Sequence, residues 1–226
     1  MKKSFKPGAM LSPLPAVMVS CGRENEKPNI ITIAWTGIVN SEPPMTYVSI
    51  RKSRHSHGII SETGEFVINL TTEELAFATD WCGVKSGRDV NKFVEMKLTP
   101  EESEKVSCPG IAESPVCLEC VVREIHEYPS HDMFVAEIVN VRVNQEIIDE
   151  NNKICLERAG LLCYNHGEYY KQGSRRLGTF GYSVMKPSTR KRKEKEQAQR
   201  RQANRATSRK KRAANMKKRA ADKSNK

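Results

Sequence analysis

The stretch NIITIAWTGIVNSEPPMTYVSIRKSRHSHGIISETGEFVINL, Asn29 to Leu70, decides the fold. It holds three β-type runs. Ile30, Ile31, Ile33 and Trp35 make the first, ending in a Thr36-Gly37 turn. Met45 to Ile50 follows the Pro43-Pro44 turn, and Phe66 to Leu70 is the third. Short runs of branched and aromatic residues bounded by Gly and Pro are a strand signature. Between the second and third runs, Arg51-Lys52-Ser53-Arg54-His55-Ser56 leads into the apolar pair Ile59-Ile60, which reads as helix. Cations and hydroxyls thus leave a buried-looking strand and enter a helix start. Helix N-terminal N–H groups and the helix dipole attract an anion, and Arg or Lys neutralises it, so this corner suits a phosphate-bearing ligand. Charged turns are also common on solvated surfaces. The position of this one, joining a fully apolar strand to a helix start, favours a site.

Outward from this stretch, Met1 to Pro15 is an irregular lead-in and Ala16 to Cys21 is a strand. On the other side, Thr71 or Thr72 caps a helix, with Glu73-Glu74 in its first turn and its end at Gly83. Lys85 to Phe93 is a loop passing into a short helix; its Ser86, Gly87, Arg88 and Lys92 form a second segment suited to an anion. Thr99 to Gly110 is a polar, solvated face. Val116 to Tyr128 and Met133 to Val143 make a hairpin across Pro129-Ser130-His131-Asp132, and Gly160–Tyr164 pairs with Glu168–Lys171 around Asn165-His166-Gly167. Six or seven strands with few long helices predict a mainly β fold, an antiparallel barrel or sandwich and not a doubly wound sheet. No G-x-G-x-x-G or P-loop is present.

Charge divides the chain. Lys186 to Lys226 carries ten lysines and eight arginines against three acids, a net +15, so residues 1–185 carry about −4 of the chain's +11. That extension has no Val, Ile, Leu, Phe, Trp or Tyr and cannot pack a core; it reads as a disordered or partly helical appendage. The expected organisation is a globular body, 1–185, and a basic tail, 186–226. Seven cysteines at irregular spacing, with prolines interrupting any secretory leader, point to free thiols in a reducing cytoplasm. No run approaches the roughly 18 apolar residues that span a bilayer. Cys117 and Cys120 have C-x-x-C spacing, but positions three apart on a strand face opposite ways, so no metal site is expected there. His55 and His57 read as hydrogen-bonding groups. No Ser-His-Asp or Cys-His arrangement stands out and no catalytic side chain is assigned; in an enzyme, a cofactor would carry the hard step.

Taken together, N-x-x-T-x-A-W (Asn29, Thr32, Ala34, Trp35), Pro43-Pro44, S-R-H-S (Ser53 to Ser56), G-E-F-V-I-N (Gly64 to Asn69) and S-G-R-D-V-N-K-F (Ser86 to Phe93) make the chain similar to the flavin reductase-like, FMN-binding split-barrel family, and within it to the flavoredoxin-like branch. The resemblance covers roughly residues 8–185 and leaves out the tail. It implies a Greek-key split β-barrel with peripheral helices and FMN at a homodimer interface. Thr32, Ala34, Trp35 and Thr36 would lie along the isoalloxazine. Ile50, Arg51, Lys52, Ser53, Arg54 and Ser56 would hold the ribityl phosphate. Asn69 and Leu70 would border the flavin, and Ser86, Arg88 and Lys92 would complete the phosphate side. Either NAD(P)H or a protein donor would supply electrons, and flavin storage without turnover stays open. The tail adds a further possibility, non-specific attraction to nucleic acid or an anionic surface, strong at low salt.

Overall fold

The computed structural model describes residues 1–173 and 175–192. The chain divides into two compact units, Met1–Ser174 and Arg175–Lys226. The first unit thus closes before residue 185, the boundary that composition indicates. Its strands are β1 (Leu14–Pro15), β2 (Val17–Cys21), β3 (Asn29–Ile33), β4 (Thr36–Ser41), β5 (Pro44–Ile50), β6 (Glu65–Leu70), β7 (Pro100–Glu101), β8 (Gly110–Ile111), β9 (Val116–Glu127), β10 (Asp132–Val143), β11 (Leu162–Asn165) and β12 (Glu168–Lys171). Its helices are α1 (His55–Thr63), α2 (Ala76–Val84) and α3 (Lys92–Glu95). In the second unit, Tyr182–Val184 is a 3₁₀ turn and residues 187–192 are helical. The basic extension from 193 onward lies outside the described residues.

Seven strands form one antiparallel sheet in the order β3-β2-β6-β9-β10-β5-β4. Its two edges, β3 and β4, are consecutive in sequence and separated only by Ala34 and Trp35. So short a link forces the sheet to curl until its edges meet. In that link the Trp35 carbonyl accepts from the Ser49 amide (2.9 Å), continuing the β4–β5 pairing up to β3. The result is a Greek-key split barrel, as the motifs imply. Alternation sorts side chains between inside and outside. Val17, Val19, Ile31, Ile33, Val48, Ile50, Phe66, Ile68, Cys120 and Phe134 fill the interior, and Ile59 and Ile60 of α1 plug it. Outside, Met18 and Ile30 meet Leu75, Ala78 and Cys82 under α2, with Phe93 of α3. Val67 and Cys117 meet Val106 and Cys108. Strands β2, β3 and β6 are thus covered on both faces, which is why their sequences read as unbroken apolar runs. Cys117 and Cys120 fall in different clusters, as strand alternation requires.

Two expectations need correction. The Thr36-Gly37 turn is the start of β4, which pairs with β5. Its outer positions Ile38 and Val39 are exposed, so no buried alternating pattern announced it. The helix expected from Thr71 or Thr72 begins at Ala76, with Leu75 at the N-cap position and no side-chain cap. Tertiary bonds take the threonines: the Thr71 hydroxyl donates to the Ala16 carbonyl (2.5 Å), the Thr71 carbonyl accepts from Leu162 N–H (3.0 Å), and Thr72 bridges to Leu161.

Candidate functional site

Strand β5 ends at Ile50, buried in the barrel, and the chain leaves it through Arg51-Lys52-Ser53-Arg54 into α1. Arg54 sits at the N-cap in extended backbone with no side-chain cap bond; the His57 N–H bonds the Arg54 carbonyl (3.1 Å), and the His55 and Ser56 N–H groups have no side-chain cap, the kind of helix start that suits an anion. Gly64 ends the helix in the left-handed conformation (φ 66°), its N–H bonded to the Ile60 carbonyl. Facing this helix start is the loop Lys85 to Asn91. Arg88 donates through Nη1 to the Ser53 carbonyl (3.2 Å) and joins the two segments. Buried Asn29 of β3 donates to Ser56 Oγ (2.8 Å), and Gly87 packs so tightly on Asn29 that a Cβ there would lie 2.0 Å from its Oδ1.

Between these segments is a cavity of about 490 Å³. Arg51, Arg54, Lys85, Arg88 and Lys92 line it, with hydroxyls from Ser53, Ser56 and Ser86 and no carboxylate. A second cavity of about 300 Å³ adjoins it, sharing Ile31, Arg51 and Arg54. Its wall is the β3 segment through Ala34 and Trp35, with Trp35 stacked on His131 (6.4 Å between centroids, 7° between planes). Tyr164 and Tyr169 of the β11–β12 hairpin and Asp80 of α2 complete it. Burial, and next the Asp80 carboxylate, push the Tyr169 hydroxyl up to about 12, so it stays protonated. A cationic chamber opening into a flat, aromatic-walled one fits a phosphate joined to a planar ring system. A larger cavity of about 630 Å³ near α2 and α3 carries Glu74, Glu95, Glu113 and Glu146 against Lys97 and Arg158, the wrong balance for an anion.

Eleven of the fifteen expected positions line these two cavities: Thr32, Ala34, Trp35, Ile50, Arg51, Ser53, Arg54, Ser56, Ser86, Arg88 and Lys92. Four do not. Thr36 is buried and donates to the Tyr47 carbonyl (2.6 Å), tying β4 to β5. Lys52 turns away to Glu127 (2.6 Å) and Asp132 (3.4 Å). Asn69 alternates to the outer face of β6, donating to the Met18 carbonyl (3.0 Å) and accepting from Ile111 N–H (2.9 Å). Leu70 packs against the barrel interior. Conversely, His131, Asp80, Tyr164 and Tyr169 come from segments distant in sequence, and no local pattern marks them. Asn29 and Gly87 lay within the quoted motifs, and only their mutual packing reveals their role.

Lys92 is buried, with Nζ donating to the carbonyls of Ile30 (2.6 Å) and Cys82 (2.7 Å). Burial lowers its pKa from the ordinary 10.5 to about 8. The unfolded chain therefore holds more protons between these values, and this group makes stability rise with pH across about 8 to 10.5. A bound phosphate dianion favours the ammonium form. Affinity for a phosphate-bearing ligand is accordingly expected to be highest below about pH 8 and to fall above it. Titration of a phosphate-bearing ligand at several pH values checks this; Lys92→Met should flatten the fall.

Fold and cleft together define a split-barrel protein with a cationic chamber beside an aromatic-walled one. The chain belongs to the flavin reductase like domain family, whose model matches residues 10–173. The flavoredoxin of Desulfovibrio vulgaris (Miyazaki F) superposes with a TM-score of 0.76 at 28% identity, covering 81% of this chain and 100% of that one. A flavoredoxin from Methanosarcina acetivorans gives 0.72 at 26%, covering 81% and 100%. An uncharacterized protein of Archaeoglobus fulgidus is 39% identical over 132 residues, 58% of this chain and 73% of that protein. A flavin-related function follows from family and fold.

Proposed function

We propose that this protein is an FMN-binding oxidoreductase, acting in the cytoplasm as a homodimer. One observation carries the reading: a five-cation chamber at the uncapped start of α1 opens into an aromatic-walled cavity, sharing Arg51 and Arg54 with it. Bound FMN would supply the electron-transfer chemistry. The chain's part is to hold and align it. Arg51, Arg54, Arg88 and Lys92 neutralise the phosphate, helped by α1 N–H groups and the serine hydroxyls. The β3 backbone and Trp35 support the ring, and the barrel core excludes water from one side. Trp35 is 44% exposed, leaving the outer side open to a second subunit and to an electron donor. The donor is NAD(P)H or a redox protein, and similarity to flavoredoxins fits either. No catalytic acid or base is needed for hydride arrival at a flavin, only orientation.

The purified protein is expected to be yellow, with flavin absorption and FMN as the released cofactor. A colourless protein that takes up no added FMN would refute the reading. NADH or NADPH oxidation with FMN present separates turnover from storage, and light scattering of the holoprotein gives its subunit number. A second role rests on the +15 extension, which draws nucleic acid or other anionic surfaces at low salt. Removal of residues 187–226 should leave flavin content unchanged and abolish such binding, measured as retention on heparin.

A further inference from the structure

Among the residues that line neither cavity is a buried carboxylate that FMN alignment does not directly use. Asp132, the first residue of β10, is 4% exposed. Its Oδ2 lies 2.7 Å from Nε2 of His57, in the first turn of α1. Its Oδ1 has no hydrogen bond, and Lys52 Nζ is the nearest cation at 3.4 Å. Lys52 is itself held by Glu127 of β9, and the His57 ring meets the edge of Phe134 (5.3 Å, 72°). The contact joins three segments that build the cleft separately. Asp132 follows His131, which stacks on Trp35 in the ring cavity. In the sheet it pairs with Ile50, which lines the same cavity. His57 follows His55 and Ser56, which line the phosphate chamber.

We infer that the Asp132–His57 pair is a positioning device that fixes the spacing between the ring cavity and the phosphate chamber, so that one ligand spanning both is held better than its separate parts. This rests on the flavin reading above. The physical basis is effective concentration: a ligand with two linked groups gains from the second contact only when both subsites sit at its own span. Two secondary structures meet the ligand here, α1 at the phosphate and the β9–β10 hairpin tip at the ring. Burial opposes ionisation of Asp132, but the His57 hydrogen bond and the nearby Lys52 ammonium outweigh it and hold the carboxyl below its usual value. An ionised carboxylate gripping an imidazole N–H on the neighbouring element resists sliding of one against the other.

The test compares three ligands on the full chain by calorimetry: FMN, riboflavin and inorganic phosphate. Asp132→Asn and His57→Leu should weaken FMN by about tenfold to a hundredfold. Riboflavin and phosphate, each seated in one subsite, should change by less than about twofold. His57→Gln keeps an N–H within reach of Asp132 and should restore FMN binding to within about threefold of the natural protein. If Asp132→Asn does not fold, the two His57 variants read the same quantity. Parallel weakening of all three ligands, an unchanged FMN affinity, or a glutamine variant as weak as the leucine one overturns the inference. A natural protein that binds no FMN overturns both this inference and the flavin reading, and shows itself before any variant is made.

Discussion

Arg54→Ala is expected to weaken FMN binding by about a hundredfold while riboflavin binding changes by less than about fivefold. Arg54 occupies the N-cap position of α1 and lines both cavities. In the phosphate chamber it combines with α1 N–H groups whose dipole points at the same anion. A charge-assisted bond to a phosphate oxygen contributes about 1.5–3 kcal/mol, and the guanidinium fork allows two in parallel. A loss near 3 kcal/mol is about two powers of ten in affinity. Riboflavin lacks the phosphate, so most of this loss cannot appear in its binding. Arg54→Lys should recover only part, because a point charge cannot fork across two oxygens. Fluorescence titration of both flavins measures the contrast. Equal losses for the two ligands would move Arg54 from the phosphate to the ring.

Gly87→Ala should cost about 2–4 kcal/mol of stability and lower FMN affinity with it. The added Cβ would fall 2.0 Å from Asn29 Oδ1 and 2.5 Å from its Cγ, closer than such atoms approach. Asn29 cannot swing clear, because it is 4% exposed and its amide holds Ser56 Oγ. Either the Asn29–Ser56 bond breaks, leaving buried polar atoms unpaired, or the Lys85–Asn91 loop lifts and carries Arg88 away from Ser53. Both results spoil the phosphate chamber. Gly58→Ala is the matched control. Gly58 lies on the exposed side of α1, where a Cβ meets nothing within 4 Å. Alanine there should raise stability by about 0.5–1 kcal/mol. Thermal melts with and without FMN check both variants, and an unchanged melt for Gly87→Ala would contradict the packing described.

Much of the candidate site was legible before folding because it is local. The chain from Ile50 to Ser56 is one strand end and one helix start, and the need for cations and hydroxyls at such a corner is written in consecutive residues. The Ser86 to Lys92 segment could be read likewise, although nothing in it says that it faces Arg51 to Ser56 across the same chamber. Asn69 lies outside both cavities for a definite reason. It sits in the same conspicuous strand as Phe66 and Ile68, but strand alternation sends it outward to bond Met18 and Ile111, away from the cleft.

By itself, the sequence determined the strand runs of β2, β3, β5 and β6, the β9–β10 and β11–β12 hairpins, the basic corner and the charge division between body and tail. These depend on side-chain type and near neighbours. Tertiary structure alone decided that Trp35 meets His131, that Asp80 meets Tyr169, that Gly87 is pressed on Asn29 and that His57 finds Asp132. Each of those contacts joins segments distant in sequence, and the first depends on the curl of a sheet whose edges, β3 and β4, are separated by only two residues. That closure is a property of the whole sheet, set by pairing register and twist, and no short stretch of sequence carries it.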